Sequence, residues 1–139
     1  MILVDSDHLS VLLNPREKRH SALYARLDTT PDTAVPVIVV EEQLRGWLAQ
    51  IRRVNDVHRQ IGPYSNLAYA VAFFQEWEIV LWSAAAADIF KRLRKAGIRI
   101  GTQDLKIGSL ALALGASVLS SNLRDFEQIP NLQVEDWLR

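Results

Sequence analysis

The sequence of 139 residues contains no cysteine, which excludes disulfide bonds and thiolate metal ligands. No apolar run reaches the roughly 18 residues that a membrane-spanning helix needs. A glycine-rich phosphate-binding loop, an HExxH zinc motif and a Ser-His-Asp arrangement are also absent. The three histidines, at positions 8, 20 and 58, follow no metal-ligand spacing, so we expect surface or local hydrogen-bonding roles for them.

Net charge is absent as well, since sixteen basic residues balance sixteen acidic ones. A polyanionic partner must therefore meet local basic groups, such as Arg52-Arg53 or the cluster at 91–95. The hydrophobic fraction of 49% and charged fraction of 23% are those of a globular protein, and the length predicts a single domain over residues 1–139. No signal peptide begins the chain, and with the missing cysteines this favours a cytoplasmic protein with no membrane partner.

Short apolar segments alternate with helical patterns along the chain. Strands are predicted at residues 2–4, 35–39, 78–82 and 116–119, with a further edge strand at 132–134. Helices are predicted at about 9–13, 20–28, 40–54, 56–76 (with a break or kink at Gly62-Pro63), 84–96 and 102–114. The alternation predicts an α/β fold: a single three-layer α/β/α domain with a short, mainly parallel sheet of four or five strands.

Acidic and amide side chains follow the predicted strands. Asp5 and Asp7 follow the first strand, Glu42 the second and Asn122 the fourth, while Asp104 opens the apolar helix at 102–114. Ligands of parallel sheets bind outside the carboxyl ends of the strands, so we expect these side chains to meet there. Two like charges about 4 Å apart repel by roughly 4 kcal/mol at an effective dielectric near 20. A hard divalent cation such as Mg²⁺ or Mn²⁺, which prefers oxygen ligands, would relieve that repulsion.

Each of these side chains also has an ordinary structural interpretation. Acids suit the first turn of a helix, which would account for Asp5, Asp7 and Asp104 without any site. Asn122 could shape a turn, and Asp125 could be a solvated loop acid. The helical periodicity of residues 40–54 does not choose between Glu41 and its neighbour as the residue that faces the site.

Taken together, three segments resemble the PIN-domain ribonucleases, specifically the VapC-like toxins of bacterial toxin–antitoxin pairs. ILVDSDHLSVLL is similar to the family's opening strand, which ends in Asp, a small residue, and Asp or Asn. VPVIVVEEQLRGWL resembles the second motif, in which a Glu precedes a Gly by four positions, and this selects Glu42 with Gly46. IGTQDLKIGSLALALGASVLSSNLRDF carries the third acid, Asp104, and an Asn-x-x-Asp-Phe turn. Many relatives have a fourth Asp where this chain has Asn122, so a second metal ion is less expected than a first.

The resemblance implies metal-dependent endonucleolytic cleavage of RNA. Its implied site comprises Asp5 and Asp104 nearest to Mg²⁺ (or Mn²⁺), Glu42 orienting water, Asn122 and Asp125 touching water or substrate, and Ser6 and Asp7 as supporting residues. It also implies a homodimer and a cognate antitoxin that inserts a peptide near the acidic pocket. The helical stretch 40–76 is where we expect that contact. Phe73-Phe74 and Trp77 are more apolar than a lone surface helix requires, which either this contact or burial within the domain would explain.

Two alternatives from other functional classes remain open. A catalytically inactive PIN-like module that binds RNA or protein is favoured by Asn122, which removes one negative charge from the site. A phosphatase using Asp5 as nucleophile is suggested by the D-x-D pair after the first strand, as in haloacid-dehalogenase-type phosphatases. In those enzymes a Gly-Thr follows the pair, whereas His8-Leu9 follows it here.

Overall fold

A computed structural model describes the whole chain, Met1–Arg139, as five strands and seven helices. The strands are β1 (Ile2–Val4), β2 (Thr33–Pro36), β3 (Ile79–Val80), β4 (Ser117–Leu119) and β5 (Val134–Glu135). The helices are α1 (Ser6–Leu12), α2 (His20–Asp28), α3 (Val37–Arg52), α4 (Ile61–Phe74), α5 (Ala84–Lys95), α6 (Thr102–Leu114) and α7 (Leu123–Phe126). All strand pairs are parallel and helices cover both faces of the sheet, which confirms the predicted three-layer α/β/α fold.

The chain enters the sheet at its centre. The strand order is β3-β2-β1-β4-β5, so the chain first builds outward on one side of β1 and then crosses to the other. The order therefore reverses between β1 and β4, the position at which open parallel sheets form a ligand crevice. Val4 pairs in register with Leu119 at the carboxyl ends of these two strands. The residues that follow them, Asp5 and Ser120, are consequently neighbours at the crevice.

Helix α6 lies in the core, as its apolar pattern predicts. Leu105, Ile107 and Leu110 are buried in a hydrophobic cluster of 26 residues that also contains β1 and β4 side chains. Gly108 packs so closely against Ile129 that an added Cβ would collide with it. Gly115, at φ 63°, ends the helix in the left-handed conformation that glycine adopts without strain. The core thus holds the first turn of α6 at a defined position above the sheet.

The boundary between β2 and α3 differs from the prediction of a strand at 35–39 and a helix from residue 40. The strand ends at Pro36, and α3 begins at Val37. The β-branched run Val37–Val40 favours a strand locally, but as a helix it buries Ile38 and Val39 against the core, and tertiary burial outweighs propensity. Pro36 was also expected near an edge, whereas β2 lies between β1 and β3.

Other boundaries shift by a few residues. The prediction of a helix over 56–76 with a break at Gly62-Pro63 is wrong, because α4 begins at Ile61 and the proline lies in its first turn. A first-turn residue needs no N–H for an intrahelical bond, so proline is tolerated there. Strand β3 is limited to Ile79–Val80, β5 is displaced to Val134–Glu135, and residues 123–126 form a helical turn.

The apolar residues expected to contact a partner are distributed differently from the prediction. Phe74 is buried, and Phe73 and Trp77 pack against the core. Helices α3 and α4 instead expose other large apolar side chains, namely Leu48, Ile61, Tyr64, Tyr69 and Val71. None of the helices is both long enough and apolar enough to cross a membrane.

Candidate functional site

Asp5 is the most deeply buried acid of the crevice, with 6% of its surface exposed. It caps α1: its Oδ1 accepts a hydrogen bond from the Ser6 N–H at 2.7 Å. Its Oδ2 accepts from the Ser120 hydroxyl at 2.7 Å. Burial raises the pKa of Asp5 to about 7, although the Ser120 bond opposes the rise, and the negative charge of Asp7 adds to it. A nearby cation would therefore stabilise the ionised form of Asp5.

Asp7 has the opposite character. Its Oδ1 accepts from the backbone N–H of His8 and contacts His8 Nδ1, both at 2.6 Å. Its Oδ2 accepts from the Ser121 N–H at 2.8 Å and from the Ser120 hydroxyl at 3.2 Å. Burial alone would raise the pKa of Asp7, but the bonds from His8 and Ser121 outweigh it and lower the pKa. Asp7 thus ionises more readily than the neighbouring Asp5.

Glu42 reaches the site from the second turn of α3 rather than from a strand end. Its Oε1 accepts from the Ser6 hydroxyl at 3.3 Å, so Ser6 contacts both Asp5 and Glu42. Burial raises the pKa of Glu42, and the charge of Asp104 adds to the rise. Glu41 points elsewhere, because its two oxygens accept from the side chains of Gln103 and Arg45. The structure therefore places Glu42, not Glu41, beside the other acids.

Asn122 joins two further carboxylates. Its side-chain Nδ2 donates one hydrogen to Asp104 Oδ2 at 2.8 Å and the other to Asp125 Oδ2 at 3.0 Å. Asp104 lies in the first turn of α6 and Asp125 in α7. Burial raises the pKa of Asp104 despite the Asn122 bond, and the charges of Asp125 and Asp7 contribute. The amide thus separates two like charges and fixes their orientation.

The chemistry of these donors fits a hard cation. Asp104 and Glu42 each accept a hydrogen bond at one carboxylate oxygen, which leaves their other oxygen open to a ligand. No group of three or more His, Asp or Glu side chains has the geometry to hold a metal ion by itself. Mg²⁺ binds in just this manner, through one or two carboxylates and several retained waters. The open oxygens of Glu42 and Asp104 are therefore of the kind that a hydrated ion binds, and the acids do not form a closed protein cage.

An open cleft adjoins the acids between α1 and α3. Its volume is about 400 Å³ and its lining is mainly polar: Ser6, Ser10, Glu42, Gln43, Gly46, Trp47 and Gln50. Glu42 and Ser6 thus belong both to the acidic cluster and to the cleft wall. A ligand in the cleft would lie directly beside the carboxylates.

Two buried polar residues of the site were not singled out from the sequence. Ser120 is fully buried and contacts Asp5. The sequence pattern that could have identified Ser120 is a hydroxyl residue directly after an apolar strand, the same position that Asp5 holds after β1. His8 is also fully buried, so a surface role is wrong, while its contact with Asp7 is the local hydrogen bond expected as the alternative.

Replacing Ser120 with alanine is expected to destabilise the metal-free protein by about 1–3 kcal/mol at pH 8, because ionised Asp5 loses a buried donor. The loss should be smaller at pH 5, where Asp5 is protonated, since its pKa is about 7. Urea unfolding in EDTA at both pH values measures this. Ser121→Ala is the matched control, because the Ser121 hydroxyl donates to Asp136 and not to Asp5, and the Ser121 N–H that bonds Asp7 is retained. Equal losses in the two variants would contradict the role of Ser120.

Comparison with known proteins gives sequence relatives of one kind. No family model matches the chain. The tRNA(fMet)-specific endonuclease VapC of Salmonella typhimurium is 32% identical over 83 residues, which cover 57% of this chain. The match covers 63% of that relative, so the chain spans less than two thirds of its length. The ribonuclease VapC1 of Rickettsia felis is 32% identical over 98 residues, 70% of each chain.

A solved structure shares the architecture over nearly the whole length. The VapBC2 complex of Rickettsia felis, bound to a DNA fragment from its promoter, contains a chain that superposes with a TM-score of 0.75. The two chains are 24% identical, and the superposition covers 99% of each. The likeness shows that the order of strands and the switch point between β1 and β4 belong to a known fold. With that fold and a relative matched over most of both sequences, the chain belongs to the VapC family of PIN-domain ribonucleases.

Proposed function

We propose that the chain is a metal-dependent endoribonuclease and the toxin of a toxin–antitoxin pair. One observation carries the proposal: Asp5, Glu42 and Asp104, distant in sequence, are joined at the switch point by hydrogen bonds through Ser6, Ser120 and Asn122. Burial raises the pKa of each acid. Such a cluster has no structural use, since buried like charges destabilise a fold. VapC nucleases are generally metal-dependent. We further propose Mg²⁺ or Mn²⁺ as the ion and cellular RNA, in the cytoplasm, as the substrate.

In this proposal Asp5 and Asp104 hold the ion and Glu42 contacts it through water. The ion, when bound, would neutralise charge on the attacked phosphate and lower the pKa of a bound water. Glu42 would orient an attacking water and accept its proton, a task suited to a carboxylate whose pKa is raised by burial, because it is then a stronger base. Asn122 and Asp125 would contact water or substrate, and their mutual hydrogen bond limits the orientations that they can adopt.

Ser6 and Asp7 would support this arrangement without touching the substrate. Ser6 spans Asp5 and Glu42, using its N–H for the first and its hydroxyl for the second. Asp7 stays ionised beside Asp5, which strengthens the attraction of the site for a cation. The polar cleft beside Glu42 would accept the nucleotide next to the bond that is cut.

We also propose an antitoxin partner and a homodimer. Structural neighbours of the chain are toxin–antitoxin complexes, one of them VapBC2 from Rickettsia felis. The exposed apolar side chains of α3 and α4 are suited to such contacts, because large solvent-facing apolar groups mark protein interfaces. The helices of the stretch 40–76 thus remain the proposed contact region, with Leu48, Tyr64 and Tyr69 as its side chains in place of Phe73, Phe74 and Trp77.

A phosphatase with Asp5 as nucleophile is less well supported. Both oxygens of Asp5 accept hydrogen bonds, from Ser6 and Ser120, and only 6% of the residue is exposed. In-line attack on phosphorus would require one oxygen to leave its hydrogen bond, whereas a metal ion can bind the remaining lone pair of an oxygen that still accepts one. The inactive module is favoured by Asn122 and by the lack of three side chains arranged to hold a metal ion by themselves.

The function is tested with Glu42→Gln, which is expected to lower the cleavage rate about 100-fold by removing the proton acceptor. Antitoxin-free protein is assayed on tRNA(fMet), the RNA named for the Salmonella relative, and on total RNA, with Mn²⁺ or Mg²⁺ and with EDTA. Glu41→Gln is the matched control: it makes the same change one residue away, on a carboxylate bound to Arg45 and Gln103, and should cleave like the unmodified chain.

Four results would contradict the proposal. Cleavage in EDTA would show that the reaction needs no metal ion. Equal cleavage by the two glutamine variants would show that Glu42 has no special role in it. A folded protein that binds RNA without cutting it would support the inactive module. Hydrolysis of small phosphate esters with a phosphorylated Asp5 would support the phosphatase.

A further inference from the structure

We propose that His8, as the neutral tautomer protonated on Nδ1, is a positioning residue that links the C-terminal segment 135–139 to the acidic cluster. The proposal rests on the proposed nuclease function for its catalytic consequence, but not for its geometry. His8 is fully buried and follows Asp7 directly in α1. Its imidazole lies between Asp7 and the backbone of Trp137.

The contacts determine which nitrogen carries the proton. The backbone N–H of Trp137 donates to His8 Nε2 at 3.0 Å. A ring nitrogen that accepts a hydrogen bond carries no proton, so the proton of the neutral ring is on Nδ1. His8 Nδ1 lies 2.6 Å from Asp7 Oδ1 and therefore donates to it. Asp136 Oδ1 lies 3.5 Å from Nε2, but the Trp137 N–H already occupies that nitrogen.

The link continues from Asp7 to Asp5. With Oδ1 held by His8, Asp7 turns Oδ2 toward the loop after β4, where it accepts from the Ser121 N–H at 2.8 Å. That bond fixes the loop beside Ser120, whose hydroxyl donates to Asp5 Oδ2 at 2.7 Å. Loss of the His8 imidazole bond would leave Asp7 Oδ1 held by the His8 backbone N–H alone, and would weaken the constraint on Asp7 and on the loop that orients Asp5.

The other end of the link is anchored by the C-terminal segment. The Trp137 indole N–H donates to Glu135 at 2.8 Å, and the Arg26 guanidinium lies 3.7 Å from the centre of the indole ring. Asp136 accepts from the Ser121 hydroxyl at 3.1 Å and from the Leu138 N–H. The segment therefore contacts the same loop directly and, through His8, the acid beside it. Trp137, which is 129 positions from His8 in sequence, thus takes part in orienting Asp5.

A pair of substitutions separates the two hydrogen bonds of His8. Asparagine places its amide donor near the position of Nδ1 and can keep the bond to Asp7. Glutamine reaches the position of Nε2 and offers an acceptor to the Trp137 N–H, but leaves Asp7 without this donor. His8→Asn loses only the link to Trp137 and is expected to weaken Mn²⁺ binding and RNA cleavage less than His8→Gln does. His8→Gln should weaken Mn²⁺ binding and lower kcat about 10- to 100-fold with KM for RNA unchanged, as loss of an outer-shell partner does.

Mn²⁺ affinity by calorimetry, cleavage kinetics, and ¹⁵N NMR of the histidine rings test the proposal. NMR should show His8 protonated on Nδ1 alone at pH 7.5, and a ring protonated on Nε2 would overturn the proposal. Mn²⁺ affinity in His8→Asn equal to or lower than that in His8→Gln would overturn it too, because a purely packing role makes the smaller asparagine the more disruptive residue at this buried position. If neither variant folds, the tautomer of the His8 ring in the unmodified chain decides whether the proposal stands. A chain that binds Mn²⁺ with the expected difference but cuts no RNA would overturn the nuclease proposal and leave the role of His8 supported.

Discussion

Asp104→Asn and Asp5→Asn are each expected to lower metal-dependent RNA cleavage by about 100- to 1,000-fold, as loss of several kcal/mol of charge stabilisation requires. Both changes keep the size of the side chain and an oxygen acceptor. The asparagine at 104 can still accept from Asn122, and the asparagine at 5 can still cap α1 through Ser6. What each variant loses is one negative charge of the proposed metal site. Single-turnover cleavage with saturating Mn²⁺ measures the effect.

Stability distinguishes this loss from unfolding. Asp5→Asn removes a charge whose burial is unfavourable, so in EDTA at pH 8 the variant should be more stable than the unmodified chain. Misfolding could not explain an Asp5→Asn variant that is inactive but more stable than the unmodified chain. Asp88→Asn, an exposed position on α5, is the control and should leave both properties unchanged. Full cleavage by Asp5→Asn or by Asp104→Asn would refute the assignment of that residue.

The general position of the site follows from local sequence signals. An apolar run that ends in an acid is visible at Asp5, and the small-residue helix that begins before Asp104 is equally plain. Alternating elements imply a parallel sheet, and a parallel sheet brings its strand ends to one edge. These signals need no knowledge of distant contacts, which is why the fold class and the neighbourhood of these acids could be predicted.

The second motif was predictable only through the family resemblance. Glu41 and Glu42 are adjacent on one turn, and local periodicity treats them alike. Their environments differ because Gln103 and Arg45 bond the first, whereas Ser6 bonds the second. The start of α3 was misjudged for a related reason: Val37–Val40 has strand propensity, and only the assembled core makes its helical burial favourable.

The hydrogen-bonded supports of the site could not be predicted, because each depends on a contact between distant residues. Ser120 and Asp5 are separated by 115 positions, and His8 and Trp137 by 129. No local pattern distinguishes a serine that bonds a buried carboxylate from one that shapes a turn. The same applies to His8, whose burial follows from the packing of α1 against the sheet and the C-terminal segment.

The supports have a common electrostatic effect. Asp7 is satisfied by donors and remains ionised, whereas Asp5 is buried beside it and resists ionisation. Ionised Asp5, buried next to the negative charge of Asp7, therefore lowers the stability of the fold. A divalent cation reverses that cost, since it favours the ionised form of Asp5. Metal binding and folding stability should therefore be coupled through this residue.

Stability in EDTA is accordingly expected to fall as the pH rises from about 5 to about 8. The pKa of Asp5 is about 7 in the folded chain and near 3.8 when unfolded, so between these values the folded state binds more protons and loses stability as the pH increases. Between pH 5 and pH 8 the decline from Asp5 should reach at most about 3 kcal/mol, because this window contains about two of the pKa units, at 1.36 kcal/mol each. The raised pKa values of Glu42 and Asp104 act in the same direction. Asp7, whose pKa is lowered, loses its stabilising effect only below about pH 4.

Mg²⁺ or Mn²⁺ should cancel most of this decline, because binding requires ionised carboxylates and adds stability to the folded state alone. The midpoint of urea unfolding, measured at pH 5, 6, 7 and 8 with EDTA or with excess metal, should therefore separate the two series most at pH 8. Asp5→Asn should flatten the EDTA series and reduce the response to metal, whereas Asp88→Asn should reproduce the unmodified chain. A rise in stability from pH 5 to pH 8 in EDTA, or an equal metal response at both pH values, would show that ionised Asp5 is neither destabilising nor involved in binding the ion.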